Sequence, residues 1–293
     1  MKLSFRLLMS LLMFAAVACN SGGQSENKET AATPVVENTG SVDGFKLGVQ
    51  LWTFRLFTFT EAVNKVDSAG IKNIEAFWGQ QLGGGLQGEF GPAMSAATRA
   101  KVKELLQSKG ISLLAFGVIS PQDEKEWISA FELAKDFGLS YITTEPKKEH
   151  WDFIDSLAGV YNIKLAIHDH PFPSAYATPD SVLAAINGRK NIGACADLGH
   201  WARNGLNPVE CLKQLEGHIY GAHLKDIVAL NNTKAADTLV GKGVMDFPPI
   251  FAELKRQNFN GMMSIEHESN WENNLPDVIE TRKYYEAEVS KLK

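Results

Sequence analysis

Eight short apolar runs, each followed by a longer amphipathic stretch, govern what this chain of 293 residues can fold into. The runs are "KLGVQLW", "IKNIEAF", "ISLLAFGV", "SYITT", "IKLAIH", "IGACAD", "IYGAHL" and "GMMSIE". Most are apolar along their whole length and do not simply alternate, so both faces of each strand must be covered. The stretches between them, such as "TEAVNKVDSAG" and "DEKEWISAFELAKDFG", repeat apolar residues at helical spacing. Many stop at a glycine, among them Gly70, Gly110, Gly138, Gly188 and Gly217, as helix C-termini often do. A last helix is predicted over 275–292. Eight strand–helix units in roughly 250 residues predict an α/β chain, a (β/α)8 TIM barrel. An open doubly wound sheet is the alternative, but its glycine-rich first turn is missing. "GKGVMD" follows a loop and not a strand. "QQLGGGLQGEFG" lacks the Lys-Ser/Thr ending of a phosphate loop and is expected to be a mobile loop over the barrel mouth.

In such a barrel chemistry gathers at the C-terminal ends of the strands. Those ends carry Arg55, Glu75, Glu145, then His168, Asp169 and His170, then Asp197 with His200, then His223 with Lys225 and Asp226, and finally Glu266. So many potential ligands are hard to attribute to solvated caps. Barrel closure aims them at one axis, where like charges repel unless a cation lies between them. Carboxylates with an imidazole suit one divalent metal ion, Mn²⁺, Co²⁺, Fe²⁺ or Zn²⁺ rather than Mg²⁺. Asp197 is read as a ligand and His200 as a neighbour aimed at the metal's ligand or the substrate. His168 and Glu75 read as contacts of metal or substrate, or as supports behind them. Trp52, Trp78, Trp151, Trp201 and Trp271 fall just past strand ends, where they pack between loops or line the apolar face of a sugar ring. Trp127 is mid-helix and core. His218 begins a strand at the opposite face, His267 points away by strand alternation, and His150 opens a helix, so all three are set aside.

The amino terminus reads differently. Lys2 and Arg6 precede "LLMSLLMFAAVA" and then Cys19. The pattern resembles a bacterial lipoprotein signal with "AVAC" as its lipobox, Ala16 standing where leucine is commoner. The resemblance implies a signal peptide over 1–18, a lipid anchor on Cys19 and an exported, periplasmic-facing protein. Residues 19–43 are small and polar and are expected to be a flexible tether, leaving 44–293 for the barrel. Net charge is −5 with pI near 5.8, and no basic stripe is visible, which argues against nucleic acid as a partner. The lipid anchor is then the only expected membrane contact. Cys195 lies in an apolar run and reads as a buried thiol.

The pieces "GVQLWTFR", "GIKNIEAF", "TTEP", "DLGHW", "AHLKD", "GKGVMDF" and "GMMSIEHE", in this order and spacing, resemble the xylose isomerase-like TIM barrels, the sugar phosphate isomerases/epimerases related to endonuclease IV. The resemblance spans Leu47 to Glu268. It implies metal ligation by Glu145, Asp197, His223 and Glu266, with Glu145 and Glu266 also the catalytic base and acid. It implies substrate contacts by His200, and His168, Lys225, Glu75, Arg55, Trp52 and Trp78 complete the candidate set. The epimerase branch has an arginine shortly after the strand 7 histidine; here Lys225 stands there with no arginine near it in sequence. The implied activity is metal-dependent isomerisation or epimerisation of a sugar by proton transfer next to a carbonyl. Since exported enzymes seldom meet phosphorylated sugars, a neutral carbohydrate is the expected partner. A 3-keto-glycoside lyase or hydratase shares the same first step, and a sugar-binding lipoprotein without turnover is the non-catalytic alternative. An endonuclease IV-like site needs histidines on early strands, and none occurs before His150.

Overall fold

The apolar runs become eight strands in the computed structural model, which describes residues 41–42 and 44–292. They are β1 (Phe45–Gln50), β2 (Asn73–Ala76), β3 (Ser112–Ile119), β4 (Tyr141–Thr144), β5 (Lys164–His168), β6 (Ile192–Asp197), β7 (Ile219–Leu224) and β8 (Met262–Ile265). Each pairs in parallel with its neighbour in sequence, and β8 pairs with β1, so the sheet closes into a (β/α)8 TIM barrel. The covering helices are α1 (Phe59–Ser68), α2 (Ala96–Ser108), α3 (Glu124–Phe137), α4 (Trp151–Tyr161), α5 (Pro179–Ile186), α6 (Leu198–Arg203), α7 (Pro208–Gln214), α8 (Phe247–Arg256) and α9 (Leu275–Val289). The expected signal peptide and Cys19, with all but the last few tether positions, lie outside the described residues. Among the described residues no helix is long and apolar enough to cross a membrane.

Strand alternation decides what fills the barrel. Ala115, Tyr141, Ala166, Cys195 and Met262 form an apolar cluster of their own. Gly221 makes room for it, since a Cβ there would lie 2.5 Å from the Tyr141 hydroxyl. Cys195 and Cys211 are both buried free thiols. Two positions along a strand from this plug, alternation delivers His168 after Ala166 and Asp197 after Cys195, so polar groups crown an apolar floor. Trp127 is fully buried, as its mid-helix place implies.

Three local features differ from the sequence expectation. β1 stops at Gln50, whose side-chain oxygen accepts from the Trp52 N–H at 3.1 Å and caps a 3-10 turn over Leu51–Phe54. The glycine-rich stretch is not an irregular loop but an antiparallel hairpin, Gln81–Gly83 with Leu86–Glu89. Gly84 and Gly85 turn it at φ of 59° and 84°, the left-handed pair a two-residue hairpin loop favours. A second antiparallel pair joins Asp226–Ile227 to Asp237–Thr238.

Candidate active site

β6 and β7 pair with Asp197 beside His223, and alternation turns both side chains to the barrel axis. His168 from β5 and Glu266 just past β8 join them. The four are buried, and one donor atom from each lies within 4.8 Å of the others. His223 Nδ1 is 3.1 Å from His168 Nε2 and 3.0 Å from Glu266 Oε2. The far nitrogen of His223 sits 3.0 Å from Glu75 Oε2, which also accepts from the Ser264 hydroxyl at 3.2 Å. Glu75 thus fixes the ring so that Nδ1 faces the cluster, the usual service of a carboxylate behind a ligating histidine.

Lys225, fully buried, brings a cation into this group. Its Nζ is 3.1 Å from Asp197 Oδ2, 3.0 Å from Glu266 Oε2 and 3.4 Å from Glu268 Oε2. Burial opposes every charge here, and the charges answer one another. Burial would raise Asp197, but the Lys225 ammonium beside it holds it well below the usual carboxylate range. Burial would lower Lys225, but Asp197, Glu266 and Glu268 push it up. His168 reaches about 9 against burial because Asp197 and Glu145 favour its proton. Asp197 Oδ2 is buried at the centre of the group, facing Lys225, with imidazole nitrogens of His168, His200 and His223 3.6–3.7 Å from it. Two imidazoles and two carboxylates converging around such an oxygen are a donor set that could hold a metal ion.

Glu145 is placed differently from expectation. It lies one residue past β4, hydrogen-bonded to His170 Nδ1, with Ser174 Oγ 3.3 Å from its other oxygen. Its Oε1 is 3.7 Å from His168 Nδ1, so it forms a separate group with His168 and His170 and is not among the four converging donors. His170 and Ser174 draw the carboxylate toward the rim, and His168 stands where Glu145 was expected. Burial would raise Glu145; the two imidazoles bring it down to about 2.

Asp197 caps α6: its Oδ1 accepts from the backbone N–H of His200 at 2.8 Å. Arg203, one turn on, donates to His200 Nδ1 at 2.9 Å, which leaves the ring proton on Nε2, 3.6 Å from Asp197 Oδ2. Burial keeps the ring neutral. Arg203 also pairs with Asp237, whose Oδ2 accepts from the Glu268 N–H at 2.7 Å. Arg203 thus ties His200 to Asp237 behind the cluster and does not line the cavity. Arg203, Asp237 and Glu268 were not singled out from sequence, because nothing local marks contacts that span more than thirty positions.

The cluster opens through Glu266 and His170 into a cavity of about 280 Å³ walled by Gln50, Trp52, Phe77 and Trp78. Trp52 Nε1 donates to Glu268 Oε1 at 2.9 Å. Arg55 is exposed and stacks on Trp271 and Trp52, 3.7 and 5.0 Å from their ring centres, outside the cavity wall. Trp201 is buried, and Trp151 donates to the Tyr176 hydroxyl at 2.8 Å, so neither lines the cavity. His267 turns away to Asp277, and His150 accepts from Trp127.

Known proteins agree with this architecture. The chain is 29% identical to an inosose dehydratase of Clostridium botulinum (strain Alaska E43), over 80% of its own length and 90% of the relative's. An uncharacterised protein from Parabacteroides distasonis superimposes with a TM-score of 0.69 at 33% identity, over 83% of this chain and 99% of that one. A D-tagatose 3-epimerase-like protein shares the fold, with a TM-score of 0.66 at 18% identity over 85% and 98% of the two chains. Residues 63–288 match the model of a family described as xylose isomerase-like TIM barrel, and the chain belongs to that family.

Proposed function

We propose that the protein is an enzyme that removes the hydrogen next to a ketone on a neutral polyhydroxylated ring and then expels an oxygen substituent from the adjacent carbon. The observation that carries this reading is the buried His168–Asp197–His223–Glu266 cluster opening through Glu266 and His170 onto an aromatic-walled cavity. A divalent ion held by those four residues, Mn²⁺, Co²⁺, Fe²⁺ or Zn²⁺ before Mg²⁺, would supply positive charge for the oxygen that turns anionic as the proton leaves. His170 lines the cavity with Nδ1 engaged by Glu145, which leaves Nε2 to take or return a proton. Glu266, from another strand end, reaches the same space as the second proton-transfer group. Trp52 and Trp78 offer flat surfaces to the C–H face of a ring. Among the described residues no lysine or arginine lines this cavity, which supports a substrate without phosphate.

The inosose dehydratase relatives favour elimination, since losing water beside a ketone begins with the same proton. Epimerisation or isomerisation is the second reading. It is favoured by having proton-transfer groups on two strand ends, β5 and β8. Incubation with a ring ketone in D₂O decides between them by NMR. Elimination gives an enone and a released alcohol or water; epimerisation gives a deuterated stereoisomer. No deuterium and no product from either type of substrate would overturn both. The motif around Cys19 supports export and lipid anchoring. A Cys19→Ala variant is expected to leave the membrane fraction, and its full retention there would refute the anchor.

A further inference from the structure

Trp78 lines three cavities at once. Its side chain is 39% exposed and borders the catalytic cavity, an outer cavity of about 500 Å³, and a third of about 290 Å³ beside Pro121 and Glu126. Gly91 lets the indole edge lie against backbone, since a Cβ there would crowd Cδ1 and Nε1 at 3.0 Å. The outer cavity lies along the Gln81–Glu89 hairpin and the start of α2. Its wall presents amide and hydroxyl side chains, Gln81, Gln87, Ser95 and Thr98. Among the described residues no lysine or arginine lines any of the three cavities, whereas Glu89, Glu126, Glu266 and Glu268 do. An anionic ligand is repelled throughout, and a free monosaccharide leaves the outer cavity unused.

We propose that the substrate is a neutral glycoside that straddles Trp78, with its keto ring in the catalytic cavity and its leaving group, a second sugar ring or an aryl group, in the outer one. The proposal rests on the elimination reading and names its substrate class. Loss of the α-hydrogen turns the C–H electron pair into a new C=C bond. The β C–O bond breaks, its electron pair leaves on the glycosidic oxygen, and that oxygen takes a proton. An enone and an alcohol result, with no oxidant or reductant. The indole is a stacking surface at the boundary between the two parts, and the outer amides and hydroxyls suit the hydroxyls of a second sugar.

Binding tests the subsite apart from the reaction. Calorimetric titration of the full chain compares methyl β-glucoside with 4-nitrophenyl β-glucoside, neither of which carries a ketone. The aryl glycoside is expected to bind about tenfold more tightly. Trp78→Ala should abolish that advantage. So should Ala93→Trp, which fills the outer cavity from an exposed position. Equal affinity for the two glycosides overturns the proposal, and an advantage that survives Ala93→Trp overturns the choice of cavity. Turnover of the 3-keto forms of both glycosides then reads the reaction. An aryl advantage in binding without turnover of either ketone leaves the subsite standing and removes the elimination reading. Equal affinity with equal kcat/KM does the reverse.

Discussion

Glu145 and His168 lie within 3.7 Å of each other, yet their partners separate their tasks. His168 joins the buried donors, so His168→Gln is expected to weaken Mn²⁺ binding severely in a calorimetric titration. Glu145 holds His170, so Glu145→Gln is expected to leave Mn²⁺ affinity close to wild type while turnover falls about 10²–10⁴-fold. Equal loss of metal affinity in both variants would restore Glu145 to the ligand set. Glu75 meets His223 at its far nitrogen, steadied by Ser264, and Glu75→Gln is expected to cost about 10–100-fold in metal affinity. The convergence of Asp197, His223 and Glu266 was legible in the sequence because each lies at the end of an apolar run at an inward position. The choice between Glu145 and His168 was not legible. Both sit at inward strand ends, and only the pull of His170 and Ser174 separates them. The service of Arg203 to His200 was hidden for another reason: the pair reads as an ordinary turn of helix until Asp237 is seen to complete it.

At the level of elements, the strands and helices were legible because burial on both faces of a parallel strand leaves an apolar signature that no polar loop imitates. The connections were harder. "GKGVMD" is set aside as a nucleotide site because it follows a loop and not a strand, and its structure shows its own purpose. Asp226 accepts from the N–H groups of Gly241 and Gly243 at 2.9 Å each, Ile227 at 2.8 Å and Met245 at 3.3 Å. Gly243 is required because a Cβ would lie 2.2 Å from Asp226 Oδ1. The glycines thus wrap the chain's own carboxylate. Asp226→Ala is expected to lower the unfolding free energy by about 1–3 kcal/mol and to speed tryptic cleavage at Lys242. Asp226→Asn, which keeps an acceptor oxygen, is expected to lose less. If both variants unfold like wild type in urea, the carboxylate does not organise this loop. The hairpin, expected from the sequence as a loop over the barrel mouth, has a similar lesson. Glycine marks flexibility in a polar tract, but Gly84 and Gly85 are where a tight turn needs positive φ.

For the molecule as a whole, closing the barrel gathers opposite charges on one axis, and this links stability to pH and to metal. Without metal, His168 titrates near 9, above its ordinary 6.5, because burial is outweighed by Asp197 and Glu145. A group whose folded pKa is raised adds stability that is complete below the unfolded value and lost as pH rises through the folded one. The Tm of EDTA-treated protein is therefore expected to fall between pH 6.5 and about 9. A bound divalent ion requires the neutral imidazole and expels its proton, so saturating Mn²⁺ should flatten that slope. It should also raise stability at every pH, by about 2.7 kcal/mol at a hundredfold excess over Kd. His168→Gln should reduce the slope even without metal, leaving the part that His223, also raised well above its ordinary value, contributes. Calorimetric Tm measurements across this pH range, with EDTA and with Mn²⁺, read all three. An identical slope in wild type with and without Mn²⁺ would mean that the ion and the His168 proton do not compete, and the four-residue donor set would have to be redrawn without His168.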